Sequence, residues 1–242
     1  MPSWFGRNPP GHNPHALLLK FDSFSGLPSL GSDAVLTSGR GDDLTLEGIS
    51  VDSIEESTSV MTAHRLNRLS TLSTMLVQIK AMVSKAGRNF TDIPWSTALA
   101  ETLVAGQDLR NGLSPSEDIL RGWTAFSNYI WEQQVIAPHL SAVHNADERT
   151  RKASQYDRRL YNACVDRQFF TTRKGYIGLG PPGLQQGDLV TVLQGGKWPF
   201  ILRPGGEWYT MLGSAYVHSI MYGEAVVEAA KVGQPIVTFN IR

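Results

Sequence analysis

Between residues 168 and 224 the chain alternates short apolar runs with glycine and proline. Runs at 169–172, 176–179, 189–193, 200–203, 208–212 and 215–218 are rich in β-branched and aromatic residues. They break at Lys174-Gly175, Gly180-Pro181-Pro182-Gly183, Gly195-Gly196 and Pro204-Gly205-Gly206. Runs this short, with so few residues between them, predict neighbouring antiparallel strands. Closing such strands into a small barrel removes their exposed edges. Near the other end of the chain, 16–24, 34–37 and 44–54 also read as strands. Leu17, Leu19 and Phe21 alternate onto one face, and Gly39-Arg40-Gly41-Asp42 joins the second and third strands as a hairpin. A closing strand is expected at 236–241, after the turn Gly233-Gln234-Pro235.

The middle of the chain changes period. Leu69, Leu72, Leu76, Ile79 and Val83 recur at spacings of three and four, predicting a helix over 64–85 with Gly87 as its stop. A shorter helix is expected at 93–105, with Pro94 in its first turn. Ser114-Pro115-Ser116-Glu117 has the order of a helix start, in which Ser114 caps the Glu117 amide and the Glu117 carboxylate reaches back. Ile119, Trp123, Phe126 and Ile130 then form a buried stripe until Pro138. Residues 145–167 form another long helix, with Ala153, Tyr156, Leu160 and Cys164 inward and a basic outer face. Residues 223–230 have helix-forming composition. The expected fold class is α+β: a small antiparallel β-barrel or sheet from N- and C-terminal strands, with a central helical insertion. The expected layout is one domain, with 1–15 irregular, strands in 16–56, helices in 64–167 and the barrel in 168–242.

The order Thr172, Gly175, Gly178 to Pro181, Gly187-Asp188, Gly195, Pro199, Leu202-Arg203, Tyr209, Gly213, Tyr216, His218, Met221 and Gly223-Glu224 carries a resemblance. It resembles the C-terminal region of fungal heterokaryon-incompatibility proteins. Upstream, Pro2-Ser3-Trp4 is similar to the segment that follows that family's incompatibility domain. The stretch 44–54, with Gly48, Val51 and Asp52, is similar to its strand ending in Val-Asp-x-Ile. The specific part of the resemblance is 169–224. Ser214, Ser219 and Tyr222 depart from the pattern, where an acid, Gly and Asp are usual. The family's N-terminal domain, TIR-like in fold, is expected to be lacking in this chain.

Composition narrows the function classes. Lys plus Arg and Asp plus Glu are balanced at 22 each, which removes the electrostatic case for binding nucleic acid or an anionic membrane. An apolar fraction of 41% and a charged fraction of 18% over 242 residues fit a chain that buries a substantial core. No apolar run approaches the roughly 20 residues that span a bilayer, and no apolar signal segment opens the chain. The single cysteine, Cys164, excludes an internal disulfide, so a cytoplasmic setting is expected.

Candidate chemistry is sparse. His218, Tyr216, Glu224 and Asp188 are the clustered polar groups, with His218 as a general base or hydrogen-bond donor and Glu224 or Asp188 setting its tautomer. The plainer explanation is a strand-end histidine with turn-capping acids. Ser214 follows Gly213 but lacks the flanking G-x-S-x-G of a nucleophile elbow. Gly178-Leu179-Gly180-Pro181-Pro182-Gly183 matches G-x-G-x-x-G only in letters, because two prolines remove amides a phosphate would need. The histidines at 12, 15, 64, 139, 144 and 218 show no spacing that implies a metal site, and no cofactor is expected. The tripeptide Arg40-Gly41-Asp42 reads as a turn, and the basic run 149–159 as a solvated helix face. Trp123, Tyr129, Trp131, Trp198, Trp208 and Tyr209 are enough to wall a pocket or to fill a core.

Two functions are consistent with these residues. The resemblance implies a stand-alone, noncatalytic interaction or regulatory module with a protein partner. The alternative is a cofactor-free small-molecule enzyme, a cyclase or isomerase of fungal secondary metabolism. There His218 and Tyr216 would be catalytic, and Trp131, Trp208, Arg203 and Glu224 would contact substrate.

Overall fold

The structure, a computed structural model, describes residues 37–38, 44–86, 93–106, 115–135 and 148–242. The expected strand at 16–24, the hairpin turn at 39–42, the Ser114 cap and the histidines at 12, 15, 139 and 144 lie outside the described residues. In chain order the elements begin with β1 (Thr37–Ser38) and β2 (Leu44–Ser57). Five helices follow: α1 (Ala63–Leu66), α2 (Leu69–Ala86), α3 (Trp95–Leu103), α4 (Pro115–Val135) and α5 (Glu148–Cys164). Then come β3 (Gln168–Thr172), β4 (Ile177–Gly180), β5 (Leu189–Leu193), β6 (Pro199–Gly205), β7 (Trp208–Ser214) and β8 (Tyr216–Val217). Helix α6 (Glu224–Lys231) and strand β9 (Val237–Ile241) complete the set. The class is α+β, with α1 to α5 inserted between β2 and β3.

Strand β2 holds the sheet together by changing partners along its 14 residues. Its first part pairs with β9, from Leu44↔Ile241 to Gly48↔Val237. Its middle pairs with β5, from Gly48↔Leu193 to Ser53↔Leu189. Its end pairs with β3, from Ile54↔Thr172 to Ser57↔Phe170. Gly48 is thus flanked by β9 on one edge and β5 on the other. A Cβ there would lie 2.4 Å from the Val192 carbonyl oxygen, so only glycine allows the two strands to come this close.

Strands β5, β6 and β7 form successive antiparallel hairpins. The ring β2-β5-β6-β7-β9 then closes where β7 meets β9 at Tyr209↔Ile241. The Arg242 amide donates to the Tyr209 carbonyl at 2.9 Å beside that pair. This closing contact is parallel, against the expectation of antiparallel neighbours throughout. The reason is the connection: α6 lies between β7 and β9 and returns the chain in the same direction, as parallel pairing requires. Strands β3, β4 and β8 extend the sheet from the far end of β2.

Three apolar layers follow from this topology. Leu193, Leu202, Phe239 and Ile241, with Leu44, Leu46, Phe200, Tyr209 and Met211 against them, come from all five ring strands and fill the ring. The opposite strand faces contribute Ile49, Val51, Val190, Val192 and Ile201 to a second cluster. It is covered by Ala225, Val226 and Ala229 of α6 and by Phe170 and Val217. The third layer joins Phe169, Ile177 and Leu179 of β3 and β4 to the buried stripes of α2 to α5.

The helices follow the apolar spacing, with two differences. The helix expected over 64–85 is broken into α1 and α2 at Asn67, which ends α1 with its amide on the Ala63 carbonyl, while Leu72 restarts the ladder on Arg68. Asparagine competes for local backbone bonds and so favours such a stop. The second difference is Arg159, expected on a solvated basic face. It is 5% exposed and donates to Asp118 of α4 at 3.0 Å. On the same two helices Trp123, Phe126 and Tyr156 pack ring to ring at centroid distances of 5.3 to 6.2 Å. The Tyr156 hydroxyl donates to the Ala100 carbonyl at 2.8 Å, which ties α5 to α3. Among the described residues no helix is long and apolar enough to cross a membrane.

Candidate functional site

The polar groups singled out in the sequence meet where β8 ends. Strand β8 is held on β4 by Gly178↔Val217 and Leu179↔Tyr216. A Cβ on Gly178 would lie 2.5 Å from both the Phe170 ring and the Tyr216 carbonyl oxygen, so the missing side chain is what lets β8 sit there. The His218 amide donates to the Ile177 carbonyl at 2.9 Å and fixes the strand end. The chain then reverses through Ser219 (φ 68°) and Gly223 (φ 92°), both in left-handed conformation. Gly223 caps α6, and the Glu224 carboxylate accepts from the Tyr222 amide at 2.7 Å. Helix α3 packs on β4 and brings in a residue the sequence reading did not name. Glu101 Oε2 lies 3.6 Å from His218 Nδ1, with the two side chains 13% and 11% exposed.

The electrostatics follow from burial. Desolvation lowers the His218 pKa, and the nearby Glu101 and Glu224 carboxylates only partly oppose it. The imidazole is therefore neutral near pH 7, with one nitrogen an acceptor and the other a donor. Neither nitrogen has a hydrogen-bond partner. Burial, reinforced by Glu101, Tyr222 and Glu224, raises the Tyr216 pKa and keeps the phenol protonated. Tyr222 is raised too, by burial and then by Glu224 and Glu101, although its side chain reaches the surface. An imidazole, two phenols and two carboxylates thus share one electrostatic neighbourhood. Among the described residues no group of three His, Cys, Asp or Glu side chains could hold a metal ion.

The remaining candidates are engaged elsewhere. Asp188, read in sequence as a partner for His218, instead receives two bonds from the Arg203 guanidinium, each 2.8 Å. Arg203 also donates to the Gly183 carbonyl at 2.6 Å, so this pair pins the turn at Pro181 to Gly187 onto β6. Trp208 lies under the Arg242 guanidinium, 4.8 Å from the ring centroid. Trp131 is 64% exposed on the last turns of α4. Ser214 offers its carbonyl to Arg167 at 3.1 Å. A separate groove of about 240 Å³ lies between α1 and α5, lined in part by Asn67, Asp157, Arg158 and Tyr161. None of the candidate catalytic or substrate-contacting residues lines it.

Comparison with known proteins bears on the barrel. Residues 121–233 match the family model described as the Het-6 beta-barrel domain. The chain is related to the heterokaryon-incompatibility proteins. Over 59 residues it is 42% identical to heterokaryon incompatibility protein 6, OR allele, of Neurospora crassa. That alignment covers 23% of this chain and 9% of the Neurospora protein, so the chain spans only a small part of that relative. No solved structure matches the chain. The Het-6 match takes in most of α4, then α5, β3 to β8 and α6, and with them Tyr216, His218 and Glu224. It leaves out β2, β9 and Glu101. The Het-6 barrel region as matched therefore reaches three of the five ring strands here, and the other two come from either side of it.

Proposed function

We propose that the chain is a noncatalytic interaction module of the incompatibility-protein kind, acting in the cytosol through a protein partner. The observation that carries this reading is the continuous apolar packing between the helices and the strands. Phe169, Ile177 and Leu179 share one buried cluster with Trp123, Phe126 and Tyr156, where a small-molecule enzyme would keep a cavity. The ring interior is likewise occupied by side chains of its own five strands. Binding then falls to the outer surface, where Trp131, Tyr129 and Tyr222 are exposed aromatics of the kind that anchor interfaces. The test is to purify a protein captured by the chain from fungal cytosol and titrate it against the purified chain. A saturable complex that is weakened at least tenfold by Trp131→Ala or Tyr222→Ala supports the reading. If purified candidates give no saturable binding, or binding indifferent to both substitutions, the reading fails.

A second reading, a cofactor-free enzyme, is favoured by one observation. The buried imidazole of His218 stands beside a carboxylate with both nitrogens unpartnered, as a proton-transfer group would. Here His218 and Tyr216 carry the chemistry, Glu101 orients the imidazole, and Glu224 contacts substrate. Under this reading, turnover of a fungal metabolite by the purified chain falls about 10²-fold or more in His218→Ala and in Tyr216→Phe. Turnover unaffected in folded variants removes both residues from the chemistry.

A further inference from the structure

Helix α5 carries a second stripe besides its inward one. Ser154, Asp157, Arg158 and Tyr161 recur at spacings of three and four, so they share one face of the helix. All four line the groove of about 240 Å³ between α5 and α1, together with Leu66, Asn67 and Leu160. Leu66 and Leu160 are 5% and 1% exposed, and they give the groove an apolar floor. Asn67 ends α1 with its backbone amide on the Ala63 carbonyl, and its carboxamide adds both a donor and an acceptor to the wall. Asp157 and Arg158 are neighbours in the chain, about 100° apart around the helix, so their charges diverge instead of pairing. Among the described residues neither side chain makes an ion pair or a hydrogen bond. Burial raises the Asp157 pKa, so its carboxylate lacks part of the hydration that would hold its charge.

We propose that the groove binds one free α-amino acid with an apolar side chain: its ammonium meets Asp157, its carboxylate meets Arg158, and its side chain rests on Leu66 and Leu160. This site stands apart from His218 and from the exposed aromatics, and so goes beyond the interaction reading. Size limits the guest. Pockets that enclose drug-sized ligands run from roughly 300 to 1,000 Å³, so a groove of about 240 Å³ suits a single amino acid. Charge limits it further. A simple anion would leave Asp157 unmet, and a simple amine would leave Arg158 unmet. Within a peptide both α-charges are consumed in amide bonds, and a chain terminus keeps only one of them. A free amino acid keeps both on one carbon and brings no net charge into the groove. The guanidinium can hold the carboxylate through two parallel bonds, while the Asp157 oxygens accept from the ammonium. Asn67 and the hydroxyls of Ser154 and Tyr161 can take up the remaining donors and acceptors. A polar side chain on the guest would find no partner on the leucine floor, which selects an apolar one.

The experiment titrates L-leucine into the whole chain while NMR follows the Tyr161 ring and the Asn67 carboxamide. Three probes are run beside it: L-leucinamide without the carboxylate, N-acetyl-L-leucine without the ammonium, and glycine without the side chain. The expected result is a saturable shift at both groups with leucine, and binding at least tenfold weaker for each of the other three. Asp157 and Arg158 are exposed, so their substitution leaves the core intact. Asp157→Asn should abolish the preference for leucine over N-acetyl-leucine, and Arg158→Gln the preference over leucinamide. No saturable shift up to the solubility limit of leucine overturns the proposal. So does equal binding of leucinamide or N-acetyl-leucine, or a folded variant that keeps both preferences. Glycine binding as tightly as leucine removes the apolar floor from the site and overturns it too. Partner binding is read through Trp131 and Tyr222, so the interaction reading stands or falls separately from this result.

Discussion

At the scale of single residues, His218 shows how burial governs a proton equilibrium. Its pKa is lowered in the fold, chiefly by desolvation, so the unfolded chain binds the proton more readily than the folded one. Stability contributed by this residue is therefore present above the ordinary value near 6.5 and is lost as pH falls from there through the lower folded value. The slope from one proton is at most about 1.4 kcal/mol per pH unit. Denaturant unfolding of the parent and of His218→Gln across pH 5 to 8 checks this. The gap between the two curves should change across the acidic part of that range, and parallel curves would show that His218 titrates alike in both states. The sequence made His218, Tyr216 and Glu224 legible together because they lie within nine positions of one another. It could not supply Glu101, which is brought in by the docking of α3 on β4, nor reveal that Asp188 is taken by Arg203. Local spacing reports strand faces, and a partner from another element enters only through tertiary packing.

At the scale of elements, the α3–α4–α5 assembly combines what apolar spacing reveals with what it hides. The stripe Ile119, Trp123, Phe126 and Ile130 was readable from period alone, and all four residues are buried. Truncating Trp123 to Ala should cost about 3–5 kcal/mol in denaturant unfolding, since Phe126 and Tyr156 cannot close over the lost ring. A loss under about 1 kcal/mol would mean that the ring contributes little packing. Arg159 was not readable. A cation within a basic run looks solvated until Asp118, on the facing helix, is known to be its partner. Removing one member of this buried pair by Asp118→Asn should cost about 3–5 kcal/mol. The double change Asp118→Leu with Arg159→Met should recover most of that loss, because it leaves no buried charge. Equal losses in the single and double variants would show that the cost is one of shape rather than of charge.

For the whole molecule, the decisive contact is the closure of the ring. Turn residues and alternation made most strands legible. The five-stranded closure was not, since it rests on one parallel contact at Tyr209↔Ile241 and on two edges meeting at Gly48. Deleting residues 237–242 should uncover the first part of β2, along with Leu193 and Leu202. Exposed strand edges of that kind pair with other chains. The truncated chain should bind a hydrophobic dye and elute as oligomers in size-exclusion chromatography. A monomer that binds no dye would show that β9 is dispensable to the core.

The same closure has a consequence for how the protein is made. Strand β2 leaves the ribosome before the helices α1 to α5, and its partners β5 and β9 emerge after them. At about 5–20 residues per second, roughly ten to forty seconds separate the two ends of the ring. Until β3 and β5 emerge, β1 is the only strand partner of β2 already made among the described residues, while α2 to α5 become available to collapse. During synthesis the edge of β2 that later takes β9 therefore stays unpaired for longest. Any holding factor that assists its synthesis has residues 44–57 as its natural target.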